Sequence, residues 1–154
     1  KERLEREPCC NTTLQDNQTR GNTFKMKGSK KDLIRYRLLR AKDTFEDAQI
    51  LAERSKWNST INRLYYAAYY AVMALLLESD LNPTTHNGAK SNFSEHFILT
   101  NKIPKEYGKM YSQLFTWRQK GDYDDLFDFD KDKVMPYFKP VKDLIDLIEN
   151  TVNC

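Results

Sequence analysis

Leu64 to Leu77 reads LYYAAYYAVMALLL, fourteen residues without a charge. A helix that is apolar on every side has to be buried on every side, and this run is shorter than the roughly 18–20 residues that cross a bilayer. The segment is therefore expected to be a core helix, enclosed by other helices or by a second subunit, with no membrane span. It sits in a longer stretch, Ser29 to Asn82, that holds neither Gly nor Pro. The absence of both breakers favours helix throughout.

The rest of the chain has the same period. Ile34, Leu38, Ala41, Phe45, Ala48 and Ala52 recur at steps of three and four between charged neighbours, which predicts an amphipathic helix. Trp57 and Asn58 are expected to mark its break from the next helix, with Asn58 or Ser59 as cap, and Asn82-Pro83 to end that helix. A short helix is expected over residues 89–100 with Phe93, Phe97 and Ile98 inward. Another is expected after Ile103-Pro104, buried along Tyr107, Met110, Tyr111, Leu114, Phe115 and Trp117 and closed by Gly121. Asp130 is expected to cap a last helix carrying Val134, Tyr137, Phe138, Val141, Leu144, Ile145 and Ile148, its start bent or delayed by Pro136 and Pro140. No segment alternates as a strand does. The expected fold is all-α, an antiparallel up-and-down helical bundle of about five helices.

Residues 1–26 mix charge with Asn, Thr and Gln, and Leu4, Leu14 and Phe24 are their large apolar side chains. They read as an N-terminal extension to a 27–154 domain, with Met26 as an alternative translation start. The 154 residues suffice for one domain with its own core. A 40% hydrophobic and 31% charged composition excludes a disordered chain. No basic start followed by an apolar stretch suggests a secretory signal, so a cytoplasmic location is expected. Cys9, Cys10 and Cys154 neither frame disulfides nor stand at metal-ligand spacing, so no metal and no cofactor is expected. Asp128, Asp130 and Asp132 alternate like a calcium loop, but Lys133 and Lys139 stand where its Gly and Glu belong.

The net charge of +3 hides a segregation. Residues 27–42 hold seven Lys or Arg against one Asp, a balance of +6, while 122–132 hold six Asp against Lys131, a balance of −5. Cations at a helix start oppose its dipole, so the basic stretch is expected to answer the acidic one, within a subunit or across a dimer. Nucleic-acid phosphate is the other reading.

Arg63, Tyr66 and Tyr70 share one face of the uncharged helix, and Asn62, Tyr65 and Tyr69 the neighbouring one. Arg63 can pair with a carboxylate, or it can hold a phosphate with the tyrosines stacking on bases. Further on stands Arg118-Gln119-Lys120-Gly121-Asp122-Tyr123, an Arg at a helix end followed by an acidic turn. His86 and His96 are the two histidines, His86 in the loop Thr84-Thr85-His86-Asn87-Gly88.

Taken together, Asn62-Arg63-Leu64-Tyr65-Tyr66-Ala67-Ala68-Tyr69-Tyr70-Ala71, then Thr85-His86-Asn87-Gly88, Phe93 and His96-Phe97, then Arg118 to Tyr123, closely resemble the HEPN domain, in its branch of small stand-alone bacterial proteins. The resemblance covers residues 30–150. It implies a helical bundle, a homodimer, and a minimal nucleotidyltransferase encoded nearby as partner. Many relatives are metal-independent ribonucleases, often toxins of toxin–antitoxin pairs, with an Arg to hold the scissile phosphate and, after four to six intervening residues, a His to move the 2′-hydroxyl proton. In this chain no Arg has a His at that spacing, and Tyr70 falls where the His after Arg63 belongs.

The expected function is therefore a component of a toxin–antitoxin-like pair with a nucleotidyltransferase, its nuclease site degenerate, that binds nucleotide or RNA through Asn62, Arg63, Tyr66, Arg118, Asp122 and Tyr123. One alternative is a ribonuclease toxin using Arg63 with His86 or Tyr70. Another is a non-catalytic dimeric interaction module.

Overall fold

The computed structural model describes residues 28–123 and 127–153. Among these, every regular element is helical: α1 (Lys30–Glu53), α2 (Trp57–Glu78), α3 (His86–Phe93), α4 (Lys105–Tyr123), the single turn α5 (Lys131–Val134) and α6 (Phe138–Val152). The expected all-α bundle is the fold found. The 1–26 extension, the three cysteines and residues 124–126 of the acidic stretch lie outside the described residues.

Helix α1 begins with a capping box. The Ser29 hydroxyl accepts from the Asp32 amide at 3.3 Å, and the Asp32 carboxylate accepts from the Ser29 amide at 3.0 Å. Such a cap contributes about 1 kcal/mol. Ile34, Leu38, Ala41, Phe45 and Ala48 form the buried stripe as the period predicts. The chain then reverses within three residues: Ser55 takes φ 55°, its amide bonds to the Ala52 carbonyl, and the Lys56 amide bonds back to Leu51. This left-handed termination lays α2 antiparallel on α1.

Helix α2 is the centre of the molecule, packed by α1 on one side and by α4 and α6 on others. Leu64, Tyr65, Ala67, Ala68, Ala71, Val72, Ala74 and Leu76 are sealed from solvent. Two boundaries differ from expectation. The helix starts at Trp57 with Lys56 at the N-cap and no side-chain cap. Asn58 serves the opposite loop instead, its Oδ1 accepting from the Phe129 amide at 2.8 Å and its Nδ2 donating to Asp128 at 3.1 Å. The helix ends at Glu78, before Pro83, because Asp80 turns left-handed (φ 59°) and the Leu81 amide closes on the Leu76 carbonyl at 2.8 Å.

Helix α3 continues into a π turn, Ser94–Ile98, closed by the Leu99 amide on the Ser94 carbonyl at 2.9 Å. Phe93, Phe97 and Ile98 face inward as expected. Helix α4 does not stop at Gly121 but runs to Tyr123. Gly121 is simply a helical position, with open space for a Cβ up to Phe129 at 3.6 Å. Asp130 does act as a cap, its side chain accepting from the Lys133 amide at 2.9 Å. The helix it starts is interrupted: α5 lasts one turn, Met135–Tyr137 tighten into a 3₁₀ turn around Pro136, and α6 follows. Val141, Leu144, Ile145 and Ile148 bury α6 against α2.

No described residue of the basic stretch at the start of α1 pairs with a described residue of the acidic one. Among the described residues, Lys30 donates to Asp80 at 2.9 Å and to the Glu78 carbonyl at 3.0 Å. Arg37 donates to the Met73 carbonyl at 2.9 Å, and Lys42 to Glu149 at 2.6 Å. The antiparallel hairpin explains this. It sets the start of α1 beside the end of α2, whose carbonyls and negative dipole end attract cations.

Candidate functional site

Tyr65 organises a cluster of polar and aromatic side chains inside the bundle. Its side chain is fully buried between α2, α3 and α4, with ring centroids at 5.9 Å from Tyr111 and 6.1 Å from Phe115. Its hydroxyl lies 2.8 Å from His86 Nδ1. Burial pushes the Tyr65 phenol up to about 12, so it keeps its proton. Burial, and then the Arg118 charge, hold His86 below its ordinary value, so the imidazole is neutral near pH 7. The bond therefore joins a protonated phenol to a neutral imidazole. Beside them the Tyr111 hydroxyl is buried and interacts with Tyr65, yet makes no hydrogen bond of acceptable geometry.

His86 is not a loop residue but the first residue of α3, and Thr85 is its cap, with Oγ1 accepting from the Gly88 amide at 2.9 Å. The cap fixes the helix start and with it the imidazole. Tyr69, one helical turn after Tyr65, lays its ring 4.6 Å from the His86 ring at 37°. Tyr66 sits edge-on to His86 at 5.8 Å.

Arg118 supplies the charge. Its guanidinium carbon lies 5.3 Å from the Tyr65 ring centre and 5.4 Å from that of Tyr66. The side chain is 16% exposed, its Nε is 3.6 Å from an Asp122 carboxylate oxygen, and that Nε makes no hydrogen bond. A guanidinium stacked on aromatic faces with one distant carboxylate retains donors for an anion. A second cation, Arg37, is tied to Met73 and Asn82 and feels the Tyr69 phenol.

The sequence-predicted residues divide accordingly. Tyr66, His86, Arg118 and Asp122 come together. Tyr70 is half-buried on the α1 side, under Arg40 at 5.4 Å. Arg63 is exposed, and among the described residues it makes no hydrogen bond, ion pair or ring contact and has no carboxylate partner. Asn62 is half-buried and joins none of the cluster's contacts. Tyr123 ends α4, and its side chain lies outside the described residues. Sequence reasoning assigned no role to Tyr111 or Arg37. It placed Tyr65 and Tyr69 on a shared face without seeing that His86 closes over it.

With this geometry in place, the chain can be compared with known proteins. The profile of the HEPN domain matches residues 34–151. A UPF0332 protein of Thermotoga maritima is 35% identical over 123 residues, spanning 80% of this chain and 93% of that protein. Two candidate toxins of Methanocaldococcus jannaschii, MJ0142 and MJ0605, are 30% and 32% identical. They cover 61% and 54% of this chain, and 64% and 62% of their own length. Among the described residues no helix is long and apolar enough to cross a membrane.

Proposed function

Since this chain belongs to the HEPN domain family, we propose that its Arg118–His86 cluster grips the phosphate of an RNA or nucleotide, and that the protein is the toxin-like half of a toxin–antitoxin pair. The observation that carries the binding site is the stacking of Arg118 over Tyr65 and Tyr66, next to a His86 whose Nδ1 is already taken by Tyr65. The guanidinium donors match phosphate oxygens, and the half-buried Tyr66 and Tyr69 rings suit base stacking. The toxin reading draws on the two candidate toxins among the relatives. A minimal nucleotidyltransferase as antitoxin follows from the HEPN resemblance. A homodimer is supported by the face that α1 leaves uncovered, where Tyr36 is 47% and Leu39 is 56% exposed.

Metal-independent RNA cleavage is the second reading, because Arg118 and His86 flank the same tyrosines and are the residue types such chemistry uses. The hydrogen bond to Tyr65 occupies His86 Nδ1, so Nε2 is the ring nitrogen left for a ligand or for proton transfer, and the tautomer decides between the two.

Induced expression in bacteria of the wild type beside Arg118→Ala tests both, reading total RNA integrity and the RNA retained by each purified protein. The proposal predicts intact RNA in both strains and RNA on the wild type that Arg118→Ala loses. Fragmented RNA confined to the wild type would establish the ribonuclease. Two equally RNA-free proteins with intact cellular RNA would reject both readings.

A further inference from the structure

A cleft of about 630 Å³ lies between α4 and the segment formed by α3 and its π turn. Its α4 wall is one helical face, carrying Lys105, Gly108, Lys109, Ser112 and Thr116. Lys105 and Lys109 stand about half a turn round α4 from Arg118, so this cleft is separate from the Arg118–His86 cluster. Three lysines, Lys90, Lys105 and Lys109, line it, and no carboxylate does. Among the described residues none of the three has an ion-pair partner.

Helix stability does not account for these cations. Lys105 opens α4, where the dipole disfavours a positive charge, and Lys109 follows at i+4 as a like-charge neighbour. On α6 the arrangement is the reverse: Lys139 and Lys142 reach Asp143 and Asp146, four residues on, at 2.9 and 2.7 Å. Glu106, the acid in the first turn of α4, lines a different groove with Tyr107 and Tyr137. Lys90 rests 4.8 Å from the Phe115 ring centre, which fixes its stem but leaves its charge uncompensated. The lysines of the cleft answer to an anion outside the chain.

The apolar lining says which kind. Phe93 and Tyr111 are each 1% exposed, so the cleft offers no open aromatic face on which a base could stack. What it does offer is aliphatic: the π turn ends at Ile98, and Leu99 stands beside it at the rim, 71% exposed. The α4 face from Lys105 to Thr116 runs straight for about 16 Å, or three turns, the length of groove along which a further helix can pack. We propose that this cleft docks an acidic amphipathic helix of a protein partner. Its carboxylates meet Lys90, Lys105 and Lys109, and its aliphatic side chains cover Leu99. The proposal is independent of what Arg118 and His86 hold.

The test is selection of a phage-displayed library of random peptides, each of about 16 residues or four helical turns, on the full chain. Enriched peptides are then titrated by fluorescence anisotropy. The proteins are the wild type, Arg118→Ala, Leu99→Ser and the triple variant Lys90→Gln/Lys105→Gln/Lys109→Gln, with circular dichroism melts confirming that each folds. The proposal predicts enriched peptides of net negative charge with Leu, Ile or Val at helical spacing. Their affinity should fall roughly tenfold in the triple variant, weaken as salt rises, and fall about threefold or more in Leu99→Ser. Arg118→Ala should bind them as the wild type does. Failure to enrich any peptide, enrichment of neutral or basic ones, or equal binding by the triple variant overturns the proposal. So does loss of the peptides by Arg118→Ala, which would seat them on the other cluster. A labelled oligouridylate bound by the wild type and lost by the triple variant, with no acidic peptide enriched, would give the cleft to RNA and overturn it too.

Discussion

The Tyr65 hydroxyl and His86 Nδ1 share a hydrogen bond of 2.8 Å, joining the centre of α2 to the first residue of α3. Because Tyr65 is fully buried and wedged against Tyr111 and Phe115, the bond is held by packing on the tyrosine side and by the Thr85 cap on the histidine side. One contact thus holds the position of the imidazole.

Tyr65→Phe keeps the ring and deletes the hydroxyl bonded to His86 Nδ1. The ¹⁵N shifts of His86 are expected to report one dominant tautomer in the wild type and a mixture of the two in the variant. Stability should fall by about 1 kcal/mol, the net value of one internal hydrogen bond.

The pH dependence has a definite sign. His86 is held below its ordinary value of 6.5, first by burial and then by Arg118. Between that lowered value and 6.5 the unfolded chain binds more protons than the native one, so this contribution to stability is complete above 6.5 and is lost as the pH falls through the lowered value. Urea titrations of wild type and His86→Gln at a series of pH values should differ in this window, with the variant showing the weaker acid dependence.

Arg118→Lys should not rescue what Arg118→Ala loses. A lysine keeps the charge but gives up the planar fork and its stacking over Tyr65 and Tyr66. Both variants are expected to weaken RNA binding by roughly 10–100-fold, the worth of one charge-assisted contact of about 1.5–3 kcal/mol, as measured by filter binding.

Arg63→Ala is expected to do much less. Arg63 is exposed and makes no described side-chain contact, so the melting free energy should move by no more than about 0.5 kcal/mol. Asn58→Ala is the contrasting surface change. It removes the acceptor of the Phe129 amide and should cost about 1–3 kcal/mol, since Phe129 is buried and its amide is left unpaired.

Those two residues also show what could be read in advance. The 3.6-residue period located the buried faces of α1, α2, α4 and α6, because burial is written directly into side-chain type. It gave the boundaries less well. Asp80 and Ser55 end their helices through left-handed backbone, which non-glycine residues enter without an obvious sequence mark. Asn58 looked like a cap because caps and loop anchors need the same side-chain chemistry, and only the tertiary placement of Phe129 separates them. At the site, the shared face of Tyr65 and Tyr69 was legible from spacing. The convergence of His86 and Arg118 on that face depends on how α3 and α4 cross α2, which no local pattern encodes. Arg63 drew attention as a lone cation beside an uncharged run, but it precedes the sealed segment and remains in water.

The central claim is that Arg118, stacked on Tyr65 beside His86, holds a phosphate of RNA. Its most direct test is the dissociation constant of the purified protein for a short single-stranded RNA, measured by anisotropy for the wild type and Arg118→Ala at one salt concentration. The account predicts saturable binding by the wild type and a loss of at least about tenfold in the variant. Equal affinity in two folded proteins would contradict it.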